Sequence, residues 1–366
     1  MNKNKIHSSL LNEVNTLNNK AKQIIITSNN FLKTKHFLQN NGYIFTPYRF
    51  ANCFSVLADV ETIKTLSTLN YVTYISPNTE VQTLNNGKDI TNFNNWTNKL
   101  KTNSNCTICF IDTGIYPHLD FILPYNRIIK FVDFINNNTH PYDDNGHGTF
   151  VCGVACGNGI ISKQNKGYAA NAKIVSIKAL NKNGSSSANT ILDAMQWVFE
   201  NHKVYNISVV CMSFGADYEH NNDPLYLGSQ ALWKCGIIVV AAAGNSGPKS
   251  NTIKSPGINP NIITVGALDT EKLNVADYSS RGPTCFGNKP DLLAPASNMI
   301  SCNINRLPYT TMSGTSVATP VVAGICAIIK SKYKNFSNNQ IKSYILSHCK
   351  KINGDKNSEG NGYIYF

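Results

Sequence analysis

The chain has 366 residues, of which 42% are hydrophobic, and it carries a formal net charge of +12. This length allows one large domain or two unequal ones, and this hydrophobic fraction argues against a mainly disordered chain. No apolar run approaches the ~20 residues of a membrane-spanning helix. The longest run, residues 236–244, is bounded by glycines and is typical of a buried strand. We therefore expect no membrane partner.

The charge and the cysteines indicate which partners and which compartment to expect. Only four of the 33 basic residues are arginine, and the lysines are dispersed, whereas specific nucleic-acid recognition usually relies on clustered arginine. We therefore expect no specific nucleic-acid partner. The eleven cysteines are scattered, and the N-terminal segment has a basic start without an apolar stretch. These features predict a cytoplasmic protein with reduced thiols, with secretion by a non-standard route as the alternative.

One cysteine pair, Cys106 and Cys109, has the spacing of a redox or metal pair. No second pair at zinc spacing follows it, and it lies inside a strand pattern. It therefore predicts buried strand thiols rather than a metal site.

The N-terminal part of the chain predicts a small α+β domain. Residues 1–22 form a polar extension that we expect to be frayed or weakly helical. Residues 23–84 alternate strand and helix patterns in the order β-α-β-β-α-β, with strands at 23–27, 43–49, 53–58 and 71–75 and helices at 28–39 and 60–69. This order is the split βαβ arrangement of ferredoxin-like domains.

The remaining chain predicts a larger domain of a different class. Residues 85–105 are polar and Asn-rich and predict a linker. In residues 106–366 short apolar strands alternate with helical stretches, which predicts an α/β fold with a mostly parallel central sheet and helices on both faces. Ligands and chemistry in such sheets lie at the carboxyl ends of the strands.

Three residues in glycine-containing frames could supply nucleophilic catalysis. Asp112 ends the strand CTICFI, His147 lies in DNGHGT just before a helix, and Ser316 lies in SGTSVATP at a helix start. A helix N-terminus favours developing negative charge at such a serine. Taken singly, the three are equally well explained as a turn residue, a structural histidine and an N-cap.

A fourth frame strengthens the catalytic interpretation. Residues 241–247 (AAAGNSG) place Asn245 after a buried strand, where its side-chain amide can donate to an oxyanion. A purely structural interpretation would need a separate explanation for each of the four residues. Their joint occurrence in this order therefore favours a catalytic site.

The motifs resemble those of the subtilisin-like serine proteases, the subtilases, whose triad has the chain order Asp, His, Ser. The resemblance covers about residues 106–351 and rests on DTG, GHGT, AAGNSG and GTSxATP, with SSRGP and PDLLAP as further matches. Within the family, the chain looks closest to the intracellular-type bacterial enzymes. The first domain is similar to the inhibitory propeptide of the family in position and strand order.

The resemblance implies a serine endopeptidase acting on polypeptides. Ser316 would be the nucleophile, His147 the general base and acid, and Asp112 the residue that orients His147. Asn245 would form the oxyanion hole. The pocket for the P1 residue, which contributes the carbonyl of the cleaved bond, would have two walls formed by Ser213, Phe214, Gly215, Ala243 and Gly244.

Departures from the family pattern leave the catalytic groups in place. Phe150 stands where His is usual, and Val317 stands where Met is usual. Asp120 matches a position that often helps to hold calcium, but the loop at residues 157–166 lacks the shape of the family's strong calcium loop. We therefore expect no cofactor in the chemistry and no metal ligands, and a structural calcium ion is not supported by a recognisable loop.

The end of the first domain predicts how the protein matures. Pro77 ends strand pairing, so the following tail can lie along the edge at residues 213–215 and deliver Leu84 to an apolar pocket. We predict self-cleavage between Leu84 and Asn85, with the first domain staying bound as an inhibitor. The alternatives are a first domain that is a permanent structural partner and, for the whole chain, a catalytically silent subtilase-fold binding or regulatory protein.

Overall fold

The computed structural model describes residues 1–15, 20–84, 106–219, 222–305, 307–352 and 355–365. The predicted linker at residues 85–105, including Asn85, lies outside the described residues. Within them, no helix is both long enough and apolar enough to cross a membrane.

The first domain is built on a four-stranded antiparallel sheet with the strand order β2-β3-β1-β4. Its elements are β1 (Lys22–Ser28), α2 (Phe31–Asn40), β2 (Phe45–Tyr48), β3 (Cys53–Ala58), α3 (Val60–Thr68) and β4 (Val72–Pro77), preceded by α1 (Ser8–Asn15). The predicted β-α-β-β-α-β order is therefore present. One further strand, β5 (Glu80–Thr83), leaves this sheet.

The N-terminal segment was expected to be frayed or weakly helical, and the structure has a packed helix in it, α1. Ile6, Leu10 and Val14 are buried in the core of the first domain. Leu10 and Val14 are four residues apart in α1, which puts these two side chains on one helix face. Ile6 also forms a bridge with Ile75 of β4, which anchors the start of the chain.

The second domain has the alternation of strands and helices that the sequence predicts. Its strands are β6 (Thr107–Asp112), β7 (Ile128–Asp133), β8 (Lys173–Lys178), β9 (Ser185–Ser187), β10 (Ile207–Met212), β11 (Phe214–Gly215), β12 (Ile238–Ala242), β13 (Ile263–Asp269), β14 (Asn274–Val275), β15 (Leu292–Pro295), β16 (Met299–Cys302), β17 (Tyr309–Met312), β18 (Cys349–Lys350) and β19 (Tyr363–Ile364). Its helices are α4 (Leu119–Ile122), α5 (His147–Cys156), α6 (Ala188–Asn201), α7 (Pro224–Lys234), α8 (Thr315–Lys332), α9 (Asn338–Ser347) and α10 (Lys356–Glu359).

The central sheet has the strand order β18-β19-β15-β13-β12-β10-β6-β8-β7, with β14 pairing with β13. Within this sheet, all neighbouring strands along the path β19-β15-β13-β12-β10-β6-β8-β7 pair in parallel. The two outlying strands, β14 and β18, pair antiparallel with β13 and β19. Helix α5 packs against α8 and α6 against α7, and each pair also contacts the sheet. This is the predicted α/β fold, and its parallel strands are mostly apolar because helices cover both faces.

The two domains share one apolar core. Ile25, Tyr48, Ala51 and Cys53 of the first domain belong to the same buried cluster as the core of the second. The first sheet therefore packs one face on its own helices and the other on the larger domain. Cys106 and Cys109 are buried free thiols, as predicted for this part of β6.

Candidate active site

Asp112 and His147 meet at the carboxyl end of the central sheet. Asp112 is the last residue of β6, His147 is the first of α5, and His147 Nδ1 lies 2.7 Å from Asp112 Oδ1. Both side chains are only 2% exposed. A carboxylate can only accept, so Nδ1 carries the proton and Nε2 keeps its lone pair. Within the described residues, Nε2 has no hydrogen-bond partner, which leaves it available as a base.

The surroundings of His147 favour its protonated form. Burial by itself disfavours the imidazolium, but the charge and hydrogen bond of Asp112 outweigh it, and Asp143 adds to them. The pKa of His147 is therefore raised above its ordinary value. A raised pKa suits a group that must stabilise positive charge after it has taken a proton.

Asp143 positions the first turn of α5, and the sequence analysis did not single it out. Its carboxylate accepts from Thr113 Oγ1 at 2.9 Å, from the Gly146 N–H at 2.9 Å and from both the N–H and the Oγ1 of Thr149. Asp143 thereby joins the end of β6 to the start of the helix that carries His147. One feature of the sequence could have indicated this role: Asp143 is a carboxylate just before a predicted helix N-terminus, where negative charge is stabilising.

Ser316 lies in the first turn of α8, which begins at Thr315. Pro320 therefore sits one turn into the helix. A proline has no N–H, so it cannot donate to the Ser316 carbonyl four residues earlier. Ser213 Oγ donates to that carbonyl instead, at 2.9 Å. The predicted pocket residue Ser213 thus completes the hydrogen bonding around the predicted nucleophile.

The amide of Asn245 is held with its donor side free. Its Oδ1 accepts from the Thr315 N–H at 3.0 Å and from Thr315 Oγ1 at 2.9 Å. These two bonds assign the oxygen and leave Nδ2 pointing the other way. Nδ2 is buried and has no partner within the described residues, and the same holds for Ser316 Oγ.

A small space beside Gly314 brings these groups together. A methyl group built on Gly314 would lie 2.5 Å from the Leu84 carbonyl oxygen, 3.1 Å from Asn245 Nδ2 and 3.3 Å from Ser316 Oγ. Gly314 also has a φ of +146°, which side-chain-bearing residues rarely adopt. Only glycine keeps this space open, and the carbonyl of Leu84 lies within it.

The tail that carries Leu84 is an added strand. β5 pairs antiparallel with β11, with Thr83 opposite Phe214 and Gln82 opposite Gly215. On its other side β5 pairs antiparallel with β9, where Val81 lies opposite Ser186. The pairing with the edge at residues 213–215 was expected, whereas the role of β9 was not.

The Leu84 side chain lies next to Gly215, in one of the two predicted walls of the P1 pocket. A methyl group on Gly215 would be 3.2 Å from Leu84 Cδ1 and 2.7 Å from Lys254 Cβ, and one on Gly244 would be 2.6 Å from Lys254 Cγ. Ala243 is buried behind this pocket and accepts from the Lys254 N–H. Lys254 was not singled out by the sequence analysis, because no local motif marks it.

Asp120 lies away from these groups and is held by protein donors. Its carboxylate accepts from Tyr309 Oη at 2.9 Å and from the backbone N–H groups of Gly159 and Ile161 at 3.3 Å. His118 and Cys302 lie close enough to share a metal ion with it. Both ring nitrogens of His118 are already engaged with backbone groups, however, so this cluster is satisfied by hydrogen bonds.

Comparison with known proteins assigns the family. The model of the subtilase family matches residues 103–362, which is most of the chain. The chain belongs to the subtilase family. The predicted site residues, 112 to 316, all lie within the matched range.

Individual members of the subtilase family align over different parts of this chain. "Serine protease AprX" of Bacillus subtilis (strain 168) is 40% identical over 292 residues, 72% of this chain and 65% of that protein. "Subtilisin DY" of Bacillus licheniformis is 32% identical over 268 residues, 71% of this chain and 89% of that protein. "Minor extracellular protease Epr" of Bacillus subtilis (strain 168) is 28% identical over 349 residues, 89% of this chain and 50% of that protein. This last alignment extends into the residues before 103. The chain thus spans less than two thirds of AprX and half of Epr.

Proposed function

We propose that this subtilase is a serine endopeptidase whose catalytic residues are Asp112, His147 and Ser316, with Asn245 as an oxyanion donor. The observation that carries the proposal is the arrangement around the Leu84 carbonyl. Ser316 Oγ and Asn245 Nδ2 are both buried, lie close to that carbonyl oxygen and have no hydrogen-bond partner among the residues that the structure describes. Unpaired buried polar groups are costly, so their presence here supports a site built for a reacting group.

The proposed reaction follows from the roles of these groups. Ser316 Oγ attacks the peptide carbonyl while its proton passes to His147 Nε2. The carbonyl oxygen becomes an anion that accepts from Asn245 Nδ2 and from the N–H at the start of α8. The C–N bond then breaks, and His147 returns the proton to the leaving amine. Water hydrolyses the resulting ester by the same steps in reverse order and frees Ser316.

We further propose that the chain is a zymogen that cleaves itself between Leu84 and Asn85. Residues 80–83 already lie as a strand between β9 and β11, and Leu84 occupies the pocket next to Gly215. A substrate bound as an added strand would be held in the same way. Polypeptide substrates would take the place of this tail after it leaves.

The first domain would then act as an inhibitor of the mature enzyme. It contacts the larger domain at α6, where the Asn189 N–H donates to Asn78 Oδ1 at 2.9 Å. The rings of Phe50 and Phe199 lie 5.7 Å apart in the same contact. The alignment with Epr, which extends into this domain, also supports a segment that belongs with the peptidase.

One experiment tests cleavage and processing together. Purified full-length protein and its Ser316→Ala variant would be incubated, followed by intact mass measurement and N-terminal sequencing. We expect the wild type to yield a new N-terminus at Asn85, and the variant to remain intact. A start outside residues 83–92 would overturn the cleavage site. Processing by the pure alanine variant would overturn the nucleophile.

Labelling with a fluorophosphonate separates an enzyme from a catalytically silent binding protein. We expect the wild type to react at Ser316 and the alanine variant to stay unlabelled. A folded wild-type protein that neither reacts nor processes itself would support the silent alternative.

We also propose that the protein works in the reducing cytoplasm. All eleven cysteines are free, and eight of them are buried, whereas disulfides are typical of oxidising compartments. Thiol counting on protein denatured directly from cell fractions tests this. In the cytoplasmic fraction we expect ten reactive thiols in the mature enzyme and one, Cys53, in the cleaved first domain. A protein found in the medium or with disulfide bonds would contradict the proposal.

A further inference from the structure

A lysine side chain lies between the two walls of the P1 pocket. The Cβ and Cγ atoms of Lys254 lie against Gly215, and its Cγ lies against Gly244. The Lys254 N–H donates to the Ala243 carbonyl, which fixes the start of this side chain to the pocket wall. Side chains on Gly215 or Gly244 would clash with this stem, so the glycines leave room for the lysine as well as for the P1 residue.

The side chain of Lys254 is more shielded from water than that of its partner, Asp217. Lys254 Nζ lies 2.5 Å from Asp217 Oδ1, and the side-chain exposures are 20% for Lys254 and 86% for Asp217. An ion pair with so exposed a carboxylate is weak, because water competes for both groups. The pair therefore leaves the lysine available to a second carboxylate.

The charges of the surrounding cleft depend on whether the tail is present. The cleft has a volume of about 330 Å³, and its charged lining residues within the described chain are Glu80, Asp217 and Lys254. Glu80 belongs to the tail and leaves with it after cleavage. What remains is the positive charge of Lys254, whose stem lies between the pocket walls, and the negative charge of the exposed Asp217.

We propose that Lys254 determines the P1 specificity of the mature enzyme and makes the pocket accept glutamate as well as leucine. This proposal rests on the proposed peptidase function and on Leu84 as the P1 residue of the tail. The methylene stem of Lys254 supplies an apolar surface for leucine, since the stem and Leu84 Cδ1 both lie next to Gly215. The ammonium group supplies a partner for a carboxylate at the end of a side chain of similar length.

The same geometry disfavours basic P1 residues. A lysine or arginine at P1 would place a second positive charge next to Lys254 in a half-enclosed pocket. Its only nearby acidic partner among the described cleft residues is Asp217, which already pairs with Lys254. We therefore expect the order of preference leucine and glutamate, then glutamine, then lysine.

The test uses self-processed full-length enzyme and four peptides that differ only at P1: leucine, glutamate, glutamine and lysine. In the wild type we expect kcat/KM for glutamate to exceed that for glutamine by about tenfold, as one shielded ion pair provides. Lys254→Met should bring this ratio to about one, because methionine keeps the apolar stem and removes the ammonium group; kcat/KM for leucine is measured beside it. Lys249→Met, at an exposed lysine of the same loop, is the matched control and should change neither value.

A second variant keeps the proposal testable if Lys254→Met does not fold or mature. Asp217→Asn changes an exposed side chain and removes the competing carboxylate, so it should raise the glutamate-to-glutamine ratio. A ratio that stays the same in both variants would overturn the role of Lys254 while leucine cleavage still supports the peptidase. Loss of leucine cleavage in the wild type would instead overturn the proposed function itself.

Discussion

Ser213 Oγ donates a 2.9 Å hydrogen bond to the carbonyl oxygen of Ser316, across more than a hundred residues of chain. The bond replaces the helical donor that Pro320 cannot supply. It also ties Ser213, in the predicted wall of the P1 pocket, to the first turn of α8. The proposed nucleophile, Ser316, and the proposed substrate-binding edge at residues 213–215 are therefore directly connected by a hydrogen bond.

Removing this bond should destabilise the fold. Ser213→Ala would leave the buried Ser316 carbonyl without a partner, and we expect the free energy of unfolding to fall by about 1–3 kcal/mol. Denaturant unfolding in a Ser316→Ala background, which prevents autolysis, measures it. The control is Ser301→Ala. Ser301 donates to the Phe150 carbonyl, which lies inside α5 and can still accept from the helical N–H four residues later when Ser301 is removed. Equal losses in the two variants would contradict this explanation.

Asn245→Ala should slow the chemical step and leave substrate binding nearly unchanged. The Asn245 amide is held by Thr315 with Nδ2 free, so it would act on the oxyanion that forms only during reaction. We expect kcat to fall by roughly 10²–10³, the loss known for one such donor in this family. Steady-state kinetics with a P1 leucine peptide measure this loss. An unchanged kcat would reduce Asn245 to a turn residue.

The activity should depend on pH through His147. Only neutral His147 can accept the proton of Ser316, and its pKa is raised because the charge and hydrogen bond of Asp112 outweigh the effect of burial. Neutral His147 therefore accumulates only at a pH above the ordinary histidine value of about 6.5. We expect kcat/KM to rise with a single ionisation above that value. An inflection below it would mean that Asp112 does not stabilise the imidazolium.

We propose that the fold does not need calcium at Asp120. The carboxylate of Asp120 already accepts from Tyr309 Oη and from two backbone N–H groups of the loop at residues 157–166. Thermal unfolding with and without a calcium chelator should give the same Tm, whereas Asp120→Asn should lower it. Glu271→Gln, at an exposed acidic residue, serves as the control. A Tm that falls on chelation and recovers with added calcium would overturn this proposal.

The sequence by itself was sufficient to predict the elements that depend on local patterns. Alternation of apolar residues indicated the β-α-β-β-α-β order and the parallel sheet, because hydrophobic period and turn residues are properties of short segments. The frames around Asp112, His147, Asn245 and Ser316 could be recognised for the same reason. Each frame combines its reactive residue with the glycines that its own turn requires.

The local sequence could not show that residues 8–15 form a stable helix, α1. Eight polar-rich residues are too few for an independent helix, and only burial of Leu10 and Val14 against the first domain stabilises it. The hydrogen bonding around Pro320 was equally out of reach, because a proline inside a helix leaves the carbonyl four residues earlier without its usual donor. Ser213 compensates for that proline from a distant strand.

The tertiary structure alone decided which side chains meet at the P1 pocket. Lys254 carries no motif and β9 is a short run of serines, yet both border the tail that ends at Leu84. Both lie about a hundred residues or more after that tail in the sequence, and the fold of the larger domain brings them next to it. A pattern read along one segment reports its own period and turns, but contacts between segments depend on how the whole sheet is ordered and packed.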